Sequence, residues 1–85
     1  MIDIKTASQA AMRHFKEIFA DDPFERIHLE EIELSEDGKL WIVLMSYDDR
    51  PSGSLGLDLL QRCHKVMKID AETGALLAIK AYQTK

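Results

Sequence analysis

Thr6-Ala7-Ser8-Gln9-Ala10-Ala11-Met12-Arg13-His14-Phe15-Lys16-Glu17-Ile18-Phe19 is the one stretch of this 85-residue chain whose apolar residues recur at helical spacing. Ala7, Ala11, Phe15, Ile18 and Phe19 fall on one face of a helix, while Lys5, Gln9, Arg13, Lys16 and Glu17 point elsewhere. Thr6 with Gln9 three residues on has the form of a capping box, which predicts a helix starting at Thr6. Asp21, Asp22 and Pro23 predict its end. A lone helix with one apolar stripe must lay that stripe on a sheet, and the residues that follow read as strands.

The segment Arg26 to Ser35 alternates at Ile27 and Leu29 and again at Ile32 and Leu34, but the two pairs are one residue out of phase. A β-bulge near Glu30-Glu31 restores a single buried face and bends the strand. Asp37-Gly38 marks a turn, and Leu40 to Tyr47 forms the second strand of a hairpin. Along Leu40-Trp41-Ile42-Val43-Leu44-Met45 both parities are apolar, as in a strand covered on both faces. One helix covers only one of them. Asp48 to Asp58 is the longest break in the pattern, polar at its start and apolar at Leu55 and Leu57, which reads either as a mobile linker or as a contact for a partner. Two more strands follow, about Leu60 to Asp70 and Ala75 to Gln83, joined by the turn Asp70-Ala71-Glu72-Thr73-Gly74. The expected fold is α+β: one N-terminal helix packed on a curved antiparallel four-stranded sheet, α-β-β-β-β, connected as a meander in a single domain spanning 1–85.

Composition and charge narrow the function. At 46% hydrophobic and 31% charged, with no low-complexity tract, the chain is an ordinary globular domain with one modest core. No apolar run approaches the ~18 residues of a membrane span, and the N-terminus lacks an apolar segment behind a basic start. With the single Cys63, this points to the cytoplasm. From Asp21 to Asp37 there are eight acidic residues against Arg26 alone, whereas Leu59 to Lys85 carries five bases against Asp70 and Glu72. The bases lack interleaved aromatics and the net charge is −4, so nucleic acid is not an expected partner.

No motif specifies a reaction. His14, His28 and His64 show no metal-ligand spacing, and Cys63 and His64, adjacent on a strand, point to opposite faces. Glu30-Glu31 and Asp48-Asp49 supply carboxylates without a cleft that sets them apart. Gly53 and Gly56 precede no helix and no Lys-Ser or Lys-Thr pair, which leaves no phosphate loop. The chain is therefore read as non-catalytic, with neither cofactor nor metal.

Lys65-Val66-Met67-Lys68-Ile69-Asp70-Ala71-Glu72-Thr73-Gly74-Ala75-Leu76-Leu77-Ala78-Ile79 resembles the final hairpin of PepSY-type domains, in which a V-x-x-I-D-A-like run turns through T-G into a second strand. The resemblance covers about fifteen residues. It implies a cystatin-like arrangement of helix and sheet and a link to peptidase propeptides and protease inhibition. It carries over no functional residue.

The remaining expectation is a protein-binding module, inhibitor-like or immunity-like, or a subunit whose partner is itself through the sheet face that the helix leaves open. Trp41, Val43 and Met45 of the second strand, Glu30 and Glu31 of the acidic stretch, and Leu55 and Leu57 are the candidate partner-binding residues. Small-ligand binding between helix and sheet, lined by Met12, Met45 and Met67, is the third alternative.

Overall fold

The computed structural model describes residues 1–49 and 61–82. Helix α1 spans Ile4–Ile18 and is followed by β1 (Glu25–Leu34), β2 (Leu40–Asp49), β3 (Gln61–Asp70) and β4 (Leu76–Ala81). All three pairings are antiparallel and the sheet order is β1-β2-β3-β4, the meander the sequence predicts.

The helix begins one turn earlier than the Thr6 capping box implies. Asp3 is the N-cap, with extended backbone, and its Oδ1 accepts from the Thr6 amide at 2.8 Å. That bond satisfies one of the amides that a helix start leaves without a partner, and it draws the Asp3 carboxyl below its ordinary range. Ala7, Ala10, Ala11 and Phe15 form the buried face. Ile18, expected in that stripe, is half exposed: the helix ends there, and Phe19, out of helical conformation, turns into the space instead. Phe15, Phe19, Phe24 and Tyr47 meet in one aromatic cluster with centroid separations from 4.2 to 6.2 Å. Lys65 reaches over the Phe19 ring at 5.4 Å.

Register decides which parity of β2 turns inward. Trp41, Val43, Met45 and Tyr47 join Ala7, Ala11, Phe15, Met67, Ile69 and Ala71 in the core, and burial pushes the Tyr47 hydroxyl up to about 12. Small alanines on α1 admit these larger side chains between helix and sheet. In β1 the pairing slips between Leu29 and Glu31, the bulge expected from the change of phase, so Ile27, Leu29 and Ile32 all pack against the core. A second irregularity lies between Glu25 and His28, where Arg26 takes φ +49, a region non-glycine residues enter rarely.

The turns follow their chemistry. Gly38 has φ +74, and the Asp37 carboxylate accepts from the Ser35 hydroxyl and the Lys39 amide. In the β3–β4 turn Asp70 Oδ1 accepts from the Glu72 and Thr73 amides, and Gly74 has φ +79. The N-terminal segment is tied to this end of the sheet. The Ile2 amide donates to the Ala71 carbonyl at 2.8 Å, and Trp41 Nε1 donates to the Ile2 carbonyl at 3.3 Å. Strand β2 runs on through Asp48 and Asp49, which are therefore not loop residues. Leu55 and Leu57 lie outside the described residues.

Candidate functional site

The inward turn of Trp41, Val43 and Met45 removes them from any partner surface: Trp41 is 8% exposed and the other two fully buried beneath α1. The open face belongs to the other parity. Cross-strand register arranges it in rows. Glu33, Ile42, Lys68 and Ala78 form one row, and Glu31, Leu44, Val66 and Lys80 the next. His28, Ser46 and His64 continue toward the far end, followed by Asp48 and Arg62. Among the described residues no helix lies on this face, because α1 is the only one and packs on the opposite side.

Ile42, Leu44 and Val66, all half-buried, make an apolar strip along the two central strands. An open groove of about 550 Å³ runs over it, bounded by Glu31, Ile32, Glu33 and Tyr82. Charge divides across the strip. Glu31 and Glu33 are exposed on β1, while Lys68 and Lys80 stand on β3 and β4. The acidic and basic halves of the sequence thus become opposite sides of one surface.

Beyond the strip the face changes character. Asp48, 2% exposed, accepts from Arg26 Nε and from Arg62 Nη1, the latter at 3.0 Å. Arg62 also donates to the Arg26 carbonyl at 2.9 Å and to the Ser46 hydroxyl at 2.6 Å, and Ser46 in turn donates to the Glu30 carboxylate. These bonds hold Arg26 in its left-handed conformation from both side chain and backbone. They also fit the rule that buried polar groups are hydrogen-bonded: among the described residues no buried side-chain polar atom lacks a partner. The Arg26 and then the Arg62 guanidinium keep the Asp48 carboxyl below its ordinary value, and the Ser46 hydroxyl does the same for Glu30, helped by Arg62.

Carboxylates held low stabilise the fold above the ordinary carboxylate value and lose that contribution as pH falls through their lowered values. The wild-type melting temperature is therefore expected to fall as pH drops below about 4. Asp48→Asn should melt lower than wild type at neutral pH, where it leaves two guanidinium groups facing a neutral amide, and should show a shallower acid limb. Thermal denaturation followed by circular dichroism between neutral and strongly acidic pH tests this, and parallel acid limbs for the two proteins would refute it.

Of the groups the sequence singled out, the fold collects His28, Glu30, His64 and Asp48 at this polar end, and Glu31 beside the apolar strip. It separates the rest. Cys63 packs on the helix side, and His14, on the helix, has its Nε2 3.0 Å from the Gly74 carbonyl. Met45 and Met67 are fully buried and fill the contact between helix and sheet. Arg62, Lys68 and Lys80 stand out in the sequence only as members of its basic half and Ser46 not at all, although the even-numbered Ser46 and Asp48 beside the odd-numbered Tyr47 mark which parity is polar. Among the described residues no three His, Cys, Asp or Glu side chains gather in a group able to hold a metal ion, and no helix is long and apolar enough to cross a membrane. In comparison with known proteins, the chain matches no family model, no curated protein and no solved structure.

Proposed function

We propose that this chain is a non-catalytic protein-binding module whose docking surface is the outer face of the sheet. The observation that carries the reading is the apolar strip Ile42, Leu44 and Val66, lying in an open groove between a glutamate side and a lysine side. Central apolar contact flanked by charge is the anatomy of a protein interface, in which the centre supplies affinity and the rim supplies register and rate. The likeness of the last hairpin to PepSY-type domains favours an inhibitor-like use of that face. The single cysteine, packed on the helix side, suits a reducing compartment, and the cytoplasm is the location this reading assigns.

The test is capture of binding proteins by wild type, by Leu44→Lys on the outer face and by Ile18→Lys on the exposed side of α1. Leu44→Lys should lose the partner at unchanged fold, while Ile18→Lys keeps it. Equal retention by both variants would remove the outer face from consideration.

A further inference from the structure

We infer that the occupant of the outer face is a second copy of this chain, joined face to face about a two-fold axis that runs along the strands. The inference rests on the docking reading above and adds who docks and in which orientation.

Symmetry makes the choice. Two identical sheets can meet by their outer faces about an axis across the strands or about one along them. The first stacks β1 on β1, so Glu31 and Glu33 confront their own copies and the lysines confront lysines. The second carries β1 over β4 and β2 over β3. Each protomer's Glu31 then lies above Lys80 of the other and its Glu33 above Ala78, one strand from Lys68 in the same row, twice over, with Leu44 meeting Val66 in the middle. A two-fold interface must be self-complementary, and this charge division is self-complementary in one orientation only. Sheets packed face to face stand about 10 Å apart, a gap that a glutamate and a lysine side chain together bridge. Within the protomer these four charges have no ion-pair partner among the described residues, whereas Arg62, Glu30, Asp48 and Arg26 on the same face are paired. The unpaired set is the set that the two-fold axis pairs.

Area sets the strength. Three strands of ten residues and one of six, at about 3.3 Å per residue and about 4.8 Å between strands, give a face of about 600 Å². A stable interface typically buries ~800 Å² per partner, so the dimer belongs to the low end of specific interfaces.

Sedimentation equilibrium over about 10 to about 500 µM reads this directly. Wild type should pass from the 9.7 kDa chain toward twice that mass. Glu31→Lys/Glu33→Lys and Lys68→Glu/Lys80→Glu should each weaken self-association about tenfold or more, because both symmetry-related contacts turn repulsive. Mixing the two variants should restore a dimer, now a heterodimer of an all-basic face with an all-acidic one. That recovery also shows that both variants are folded. Wild type remaining at one chain's mass throughout, or both charge-reversed variants dimerising as well as wild type, would overturn the second copy as occupant. If wild type is monomeric yet Leu44→Lys still loses a captured protein, the docking face stands with another occupant. If Leu44→Lys keeps that protein as well, the docking reading falls with it.

Discussion

Replacing Phe15 with alanine should cost about 3 to 5 kcal/mol and lower the melting temperature by roughly 15 to 30 °C. The size of the effect follows from how unevenly α1 contributes to the core. Its other buried residues are Ala7, Ala10 and Ala11, which let the helix lie close to the sheet but bury little apolar area of their own. Phe15 is the only large side chain of the helix that is fully buried, and three aromatic rings surround it. The cavity left by alanine would be bounded by Phe19, Phe24 and Tyr47, rings anchored on separate elements that cannot all collapse inward. Against the ~4 to 13 kcal/mol expected for a domain of this length, that is a large share. Urea and thermal denaturation measure it. A variant melting within a few degrees of wild type would mean that the helix is not what holds the core together.

Trp41→Glu should do more and leave no cooperative transition at room temperature. Removing a buried tryptophan costs about 3 to 5 kcal/mol, and a carboxylate placed in its site must either stay ionised in apolar surroundings or take up a proton at further cost. The substitution also breaks the bond from Trp41 Nε1 to the Ile2 carbonyl, which ties the segment before α1 to β2. Ile42→Glu, one residue along, points to the outer face and should cost only about 1 kcal/mol. Circular dichroism of the two variants side by side reads the orientation of β2. A folded Trp41→Glu beside an unfolded Ile42→Glu would reverse the faces of the sheet.

Much of this architecture is legible in the chain because its signals are local. The slip of phase between Ile27-Leu29 and Ile32-Leu34 announces the bulge that the register shows between Leu29 and Glu31. Asp37-Gly38 and Asp70 with Gly74 announce turns whose carboxylates and positive φ values are in place. The helix start misleads because Asp3-Ile4-Lys5-Thr6 and Thr6-Ala7-Ser8-Gln9 both offer a cap three residues before a partner. Asp3 prevails because it adds a turn: the Ala7 amide reaches the Asp3 carbonyl at 2.9 Å. The outer face is legible only in part. Apolar residues at both parities from Leu40 to Met45 leave the inward side open, and Trp41, Val43 and Met45 look as suitable for a surface as Ile42 and Leu44. What decides it is pairing across strands. Arg26 and Arg62 meet Asp48 from 22 and 14 residues away, and no local pattern in the sequence reveals that convergence.

The order β1-β2-β3-β4 also governs how the molecule can assemble in time. Because every strand pairs only with its neighbours in sequence, the β1–β2 and β3–β4 hairpins close over short spans, and contacts of short span are associated with rapid folding. The helix is the exception. It leaves the ribosome ahead of the whole sheet, yet the residues it must cover, Val43, Met45, Met67 and Ile69, come much later in the chain. Until β3 is synthesised, Ala7, Ala11 and Phe15 have only part of their seat, so a nascent chain halted before Gln61 would present this apolar stripe to chaperones rather than to its own sheet.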